Sequence, residues 1–142
     1  MKLTRASVYA LHALVHLARE AQDRPIPAHE IARAQGVPEL FLPKALDPLV
    51  SAGVLRSLKG PHGGYRLARP ARDIELLEVV EVVGGPVRGE VPPFGGTDTA
   101  KVDRKLQAVC DQVAAAQRQV LGGVTVADLA AGAGKAKAKK TK

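Results

Sequence analysis

The stretch 36–70 constrains the fold most, because its hydrophobic pattern changes from helical spacing to strand-like alternation, with a glycine-rich segment between the two alternating runs. It reads GVPELFLPKALDPLVSAGVLRSLKGPHGGYRLARP, an apolar periodic segment followed by two short alternating runs around a glycine-rich tip. No acidic residue lies between Pro48 and Arg72. The basic residues of this span are Arg56, Lys59, Arg66, Arg69 and Arg72. The pattern predicts a helix followed by a β-hairpin that is basic on both arms, which suits the backbone and minor groove of DNA.

The charge of the chain is distributed unevenly around this stretch. The net charge is +7, and residues 1–72 carry 11 Lys and Arg against 5 Asp and Glu. Residues 73–134 carry 5 against 9, and residues 135–142 carry 5 lysines and no acid. A polyanion would therefore be drawn to the first half. The alternative is that the basic surface only keeps the chain soluble.

Several function classes find no support in the sequence. No apolar run approaches the roughly 18 residues of a membrane span, the N-terminus lacks an apolar signal-peptide region, and a single cysteine fits a cytoplasmic protein. His12 and His16 have metal-binding spacing but no acidic or thiol companion, so we interpret them as ordinary helix residues. No phosphate loop and no nucleophile–His–carboxylate grouping occurs, so the chain is predicted not to be an enzyme.

The first half has the signals of a helix-turn-helix. Thr4 is a suitable N-cap for a helix to about Glu20, and a second helix covers residues 28–35. Gly36 ends that helix, and a third helix is predicted from Pro38 to the glycine at position 53. Its predicted buried face consists of Leu40, Phe41, Ala45, Leu46, Leu49 and Val50. Pro43 and Pro48 disturb it, so a bent or shortened helix is expected.

The hairpin and the second half follow from simpler signals. Residues 54–55 and 65–67 predict two strands, with the tip at residues 60–64. Residues 74–83 predict a helix capped by Asp73, residues 86–98 predict a loop, and Thr99 to Leu121 is the longest helix. A short helix capped by Thr125 and a disordered lysine tail follow. The long helix carries an apolar heptad-like seam, Val102, Leu106, Val109, Val113, Ala116 and Val120. We expect this seam to meet a second subunit.

Several motifs, in this order, resemble one family. MKLTRASVYALHALVHLA, IPAHEIARAQGVPELFLPKALDPLVSAGVLRS, KGPHGGYRLARP, IELLEVVEVVGGP and LGGVTVADL are similar to the Rrf-two family of winged-helix transcription regulators, over Met1 to about Ala131. The resemblance implies a mostly α fold with a small β-hairpin. A winged helix-turn-helix DNA-binding domain would cover 1–72, and a helical linker and dimerisation region 73–131. The lysine-rich tail, 132–142, would be disordered.

The resemblance also implies roles for individual residues. It places Leu40, Phe41 and Lys44 at the major groove. The wing tip in the minor groove would be Lys59, Gly60, Pro61, His62 and Gly63. Phosphate contacts would come from Lys2, Thr4, Arg5 and Tyr9. Arg56 and Arg66, on the two arms of the hairpin, complete the predicted DNA-binding set.

One departure from the family concerns its sensor. Many relatives hold an iron–sulfur cluster with three cysteines in the loop before the long helix, where this chain has none. Cys110 stands alone, within the long helix. Because a cluster needs several such ligands, we expect no cofactor and no metal site.

The sequence thus predicts a cytoplasmic, homodimeric, sequence-specific transcription regulator without a cluster, acting as a repressor on a palindromic operator of double-stranded DNA. An alternative is a regulator gated by a small metabolite or a protein partner, bound at the 86–98 loop or in the groove between the dimer helices.

Overall fold

The computed structural model describes residues 1–20, 24–96 and 99–132, and within these ranges it is mostly helical with one β-hairpin. The elements are α1 (Arg5–Arg19), α2 (Ala28–Gln35), α3 (Leu42–Ser51), β1 (Leu55–Leu58), β2 (Gly64–Leu67), α4 (Leu76–Gly84) and α5 (Ala100–Gly122). Residues 126–132 are also helical. The predicted fold class is confirmed. No helix in the described ranges has the length and apolar character of a membrane span.

Helix α1 begins as the sequence predicts. The Thr4 hydroxyl accepts a hydrogen bond from the Ser7 amide at 3.0 Å and lies 2.8 Å from the Ser7 hydroxyl. This satisfies one of the free N–H groups at the helix start and a hydroxyl that is fully buried. The helix packs against α2, α3 and α4, so its end is fixed relative to three other elements.

The helix-turn-helix is formed by α2, a turn and α3. Gly36 ends α2 with φ of 65°, a left-handed conformation that glycine adopts without penalty. The Val37 amide then donates to the Ala32 carbonyl at 3.0 Å and closes the turn. Val37 is buried beneath it. The short helix, glycine turn and second helix are therefore present.

The start of the third helix differs from the prediction. Instead of a helix from Pro38, residues Glu39–Phe41 form a 3-10 turn and α3 begins at Leu42. Pro43 explains this, because its ring and missing N–H are tolerated only in the first turn of a helix. Leu40 and Phe41, predicted to be buried, are 87% and 55% exposed, and Leu42 is buried in their place. The helix is shortened, as expected.

Pro48 lies inside α3, yet the helix continues to Ser51. An interior proline costs about 3 kcal/mol. Leu42, Leu46 and Leu49 are fully buried, and burying one such side chain contributes about 1.5–3 kcal/mol. The free energy gained by burying these three leucines is therefore large enough to offset the cost of the proline.

The hairpin joins directly to the helix-turn-helix. Strands β1 and β2 pair antiparallel from Leu55 opposite Leu67 to Leu58 opposite Gly64, so β1 begins one residue later and reaches further than predicted. Val54 is buried outside the strand. Tyr65 exchanges two backbone hydrogen bonds of 2.9 Å with Ile26. The hairpin is thus attached to the connector between α1 and α2.

In the second half of the chain, one predicted helix cap is wrong. Asp73 belongs to a 3-10 turn, Ala71–Asp73, and α4 begins only at Leu76. The intervening Ile74 is extended and fully buried, which separates Asp73 from the helix. The cap at Thr125 is confirmed: its hydroxyl accepts from the Asp128 amide at 3.1 Å, and the Asp128 carboxylate accepts from the Thr125 amide at 2.9 Å.

One apolar core unites α1, α2, α3, α4, the helical residues 126–132 and the hairpin. It includes Ile74, Val79 and Val126, which lie beyond position 72 in the chain. The division into 1–72 and 73–131 therefore stays a prediction about function. Of the predicted tail, Gly132 is helical, and residues 133–142 lie outside the described ranges.

Candidate nucleic-acid interface

The two arms of the hairpin place like charges side by side. Arg56 of β1 is directly opposite Arg66 of β2 in the antiparallel register. Arg56 is exposed and Arg66 half-buried. Like charges directly opposite one another destabilise a strand pair. Arg66 has a further interaction within the fold, so the exposed Arg56 is the cation of this pair that best suits phosphate binding.

The tip of the hairpin is a tight turn that requires glycine. The Gly63 amide donates to the Gly60 carbonyl at 3.0 Å, with the exposed Pro61 and His62 at the two corner positions. Proline is favoured at the first of these corners. A Cβ added to Gly63 would lie 2.2 Å from the Leu58 carbonyl oxygen. The tip, with the exposed Lys59 beside it, is therefore slender and cationic.

The predicted major-groove residues lie on the 3-10 turn and the first turn of α3. Leu40, Phe41 and Lys44 are all exposed. The Lys44 ammonium nitrogen lies 5.8 Å from the centre of the Phe41 ring, within the range of a cation–π interaction. This end of α3 thus presents two large apolar side chains and one cation.

The predicted phosphate-contacting residues cluster at the start of α1. Lys2, Thr4 and Arg5 are exposed, and Tyr9 is half-buried against the core. No acidic residue stands in the first turn of α1. The positive end of the helix dipole repels cations at this position. A phosphate placed here would be attracted both by these cations and by the free N–H groups of the first turn. The Thr4 hydroxyl is already used by the cap.

One contact between side chains links the wing to α3 and was not foreseen. The Tyr65 hydroxyl donates to the Asp47 carboxylate at 2.9 Å. Burial, and then this hydrogen bond, raise the pKa of Tyr65 to about 12. The two residues are 18 positions apart, and nothing in the local sequence signals their contact.

The Arg69 side chain forms hydrogen bonds within the fold and does not point freely into solvent. Its guanidinium donates to both carboxylate oxygens of Glu78 at 2.7 Å and to the Asp73 carbonyl at 3.0 Å. This ties the end of the hairpin to α4. The Arg69 side chain is therefore already paired within the fold.

The predicted dimerisation seam is an exposed apolar face of α5. Its five large side chains are between 48% and 70% exposed, and Ala116 is also exposed. The helix packs on the rest of the chain through a different face, which carries the buried Ala114 and Leu121. Arg118 and Glu81 form an ion pair beside that contact. An apolar stripe of this kind is typical of a surface that meets a partner.

The loop before α5 lies along that helix. The Val87 amide donates to the Glu81 carboxylate at 2.9 Å, and the Gln107 side chain donates to the Gly89 carbonyl at 2.9 Å. A Cβ on Gly89 would lie 2.6 Å from the backbone of Cys110. The part of the loop that is described, up to residue 96, contains neither helix nor strand, as predicted.

The chain is similar to a set of transcription regulators. A family model described as Rrf2, iron-dependent transcriptional regulator, matches residues 3–132. The HTH-type transcriptional regulator Rv1287 of Mycobacterium tuberculosis is 34% identical over 94% of this chain and 83% of its own length. Protein aau3 of Rhizobium meliloti is 40% identical over 91% and 84%. Regulators of this type are not enzymes.

Two solved structures are similar in fold. CymR of B. subtilis, the global cysteine regulator, has a TM-score of 0.72 and 26% identity, over 92% of this chain and 97% of that one. IscR of T. potens has a TM-score of 0.68 and 29% identity, over 96% and 90%. These matches span the helix-turn-helix, the hairpin and the long helix together.

The family description names iron, but the residues of this chain do not fit an iron–sulfur cluster held by several cysteines of one chain. The sequence has one cysteine, and Cys110 is half-buried on α5. In the described ranges no three His, Cys, Asp or Glu side chains are grouped as metal ligands. A cluster needs about four thiolate or imidazole ligands.

The match over residues 3–132, together with the winged helix-turn-helix, nevertheless shows that this chain belongs to the Rrf2 family of transcription regulators.

Proposed function

We propose that this protein binds double-stranded DNA as a homodimer and represses transcription by occluding a promoter. The observation that carries the proposal is the exposed wing, where Lys59 lies beside a tip built on glycine and Arg56 is exposed on the adjoining strand. A surface that concentrates exposed cations and carries no acidic residue fits a polyanionic partner.

Each part of the interface has its own task. Leu40, Phe41 and Lys44 face base edges in the major groove, where base pairs are most distinct. The tip, Lys59 to Gly63, enters the minor groove, and its glycine backbone permits close approach. Phosphates are contacted by Lys2, Thr4, Arg5, Tyr9, Arg56 and Arg66. The phosphate contacts supply much of the affinity and fix the register on the duplex.

The dimer is formed through the seam of α5. Pairing two seams removes the exposed valines and the leucine from water, which favours association. A two-fold dimer presents two equal wings and two recognition helices. The operator is therefore a palindrome, with half-sites one or a few helical turns apart. A regulator with this task works in the cytoplasm, where its DNA is.

Selection of DNA by the purified full chain tests the proposal. We expect enrichment of a palindromic sequence from a random duplex library. Binding to that sequence in a mobility-shift assay should weaken steeply as salt is raised, because bound phosphates release their counterions. Absence of any enriched sequence, or affinity that does not change with salt, would contradict the proposal.

A second candidate is a regulator gated by a metabolite or a protein partner at the 86–98 loop or in the groove between the dimer helices. The favouring observation is Phe94, which is 75% exposed on a loop held against α5. A ligand that moves this loop would act on the dimer helix. A thermal-shift screen with metabolites identifies binders. Only one that also changes operator affinity supports gating.

A further inference from the structure

We propose that Leu40 and Phe41 recognise the C5-methyl groups of thymines, so that the recognition helix reads its operator largely through apolar contacts. The inference rests on the proposed DNA binding and adds the kind of base that is read. Of the four bases, thymine is the one that presents an apolar group, its C5-methyl, in the major groove.

The first step concerns the position of the two side chains. Leu40 and Phe41 are adjacent on the 3-10 turn and are 87% and 55% exposed. They are not needed for the core, because α3 is held by Leu42 and two further buried leucines. Two large apolar side chains thus stand in water at the end of the helix that enters the groove.

The nearby Lys44 and the basic hairpin that follows in the chain favour DNA as the occupant. Lys44 lies over the Phe41 ring, and the hairpin that follows contributes Arg56 and Lys59 with no acid as far as Arg72. Two carboxylates flank the pair, Glu39 and Asp47. Asp47 is bonded to Tyr65. An apolar pair beside a cation, next to a basic hairpin in the chain, fits a surface that is anionic outside and apolar at places inside, as the major groove is.

The prolines limit the alternative, which is reading by hydrogen bonds. Between residues 39 and 48 the polar side chains are Glu39, Lys44 and Asp47. Positions 43 and 48 carry proline, which offers neither a polar side chain nor an N–H. Lys44 can donate to the O6 and N7 atoms of guanine, and the exposed Glu39 can accept from the N4 amine of cytosine. Most of the remaining discrimination then falls on methyl contacts.

Deoxyuridine tests the inference directly, because it keeps Watson–Crick pairing and removes only the methyl group. In the selected operator, thymines would be replaced one position at a time, symmetrically in both half-sites. A buried methyl contributes about 0.8 kcal/mol, so each contacted methyl is worth about fourfold and each symmetric pair about 15-fold in Kd. We expect such a loss at one or more positions.

Two variants assign the loss to the side chains. The double variant Leu40→Ala, Phe41→Ala should bind the thymine and deoxyuridine operators equally. Its melting temperature should stay near the parent's, since both residues are exposed. Lys59→Ala, altered in the wing alone, should bind more weakly but retain the deoxyuridine penalty. A 5-methylcytosine–guanine pair at a sensitive position should bind more tightly than cytosine–guanine.

The outcomes separate this inference from the proposed function. It is overturned if the parent binds both operators equally at every position, or if the selected half-sites contain no thymine. It is also overturned if the double variant keeps the penalty, since DNA shape would then be the cause. In all three cases DNA binding itself stands. Failure of the selection to enrich any sequence would remove the proposed function instead.

Discussion

Lys44 and Lys59 are both exposed cations, but they lie on elements that we propose to meet different parts of a duplex. We expect Lys59→Ala to weaken binding to all sequences alike and to reduce the salt slope by about one. Lys44→Ala should relax preference at particular bases, by about 1–3 kcal/mol. Mobility-shift titrations with the operator, single-base variants and unrelated DNA at several salt concentrations measure both. If both variants bind like the parent, the assignment of these lysines is wrong.

Tyr65 gives a prediction in pH. Its pKa in the folded chain is raised to about 12 from an ordinary value of 10.0. The associated stability is therefore fully present below about pH 10 and is lost as pH rises towards 12. We expect the melting temperature of the parent to fall more steeply over this window than that of Tyr65→Phe. If the melting temperatures of the two proteins fall equally with pH over this window, the hydroxyl makes no such contribution.

At neutral pH the same variant tests the link between wing and helix. Tyr65→Phe leaves the backbone bonds to Ile26 in place and removes only the contact with Asp47. One hydrogen bond is worth about 1 kcal/mol, so the chain should stay folded. We expect weaker operator binding because the wing is less firmly oriented against α3. Asp47→Asn, which keeps an acceptor oxygen for the tyrosine, is the matched control and should retain more of the affinity.

At the scale of elements, the wing depends on a turn that admits no side chain at Gly63. The added methyl group of Gly63→Ala would meet the Leu58 carbonyl at 2.2 Å, so the turn must rearrange, at a cost of about 1–3 kcal/mol. The core lies elsewhere and should keep its helical circular dichroism. We expect at least a tenfold loss of DNA affinity.

A matched control lies in the same turn. His62→Ala removes an exposed side chain without disturbing the backbone, so it should bind DNA more tightly than Gly63→Ala does. Equal losses in the two variants would mean that the shape of the tip is unimportant.

The elements themselves were predicted to different degrees. Caps at Thr4 and Thr125, the stop at Gly36 and the hairpin were all predictable, because each depends on residues within a few positions of one another. The start of α3 was not, although Pro43 carried the signal. A proline in the first turn is compatible with the observed start at Leu42, whereas a helix from Pro38 would have placed it further inside.

At the scale of the whole molecule, the seam of α5 predicts the oligomeric state. We expect Val109→Asp with Val113→Asp to give a monomer near 14.9 kDa in light scattering, because two carboxylates per chain would face their copies across an apolar contact. Operator affinity should fall at least tenfold as one half-site is lost.

Ala108→Asp is the control for the seam. Ala108 is exposed on α5 but is not a seam residue, so this variant should remain dimeric and bind the operator. A parent protein that is monomeric at micromolar concentration, or a seam variant that stays dimeric, would contradict the proposed interface.

The sequence by itself determined the kind of each element, the glycine-dependent tip, the basic first half and the family. These properties follow from torsional preferences, caps and residue order, all of which are local. The tertiary structure alone decided which side chains are exposed. Leu40 and Leu42 are chemically identical, yet one is 87% exposed and the other fully buried.

The same holds for the polar contacts. Tyr65 meets Asp47 and Arg69 meets Glu78 only because β2 and the residues after it return to lie beside α3 and α4. Such pairs depend on how the helices pack around α1, and that packing is a property of the whole core. The sequence therefore predicts that the chain carries a DNA-reading surface, while the fold decides which of the predicted side chains are exposed.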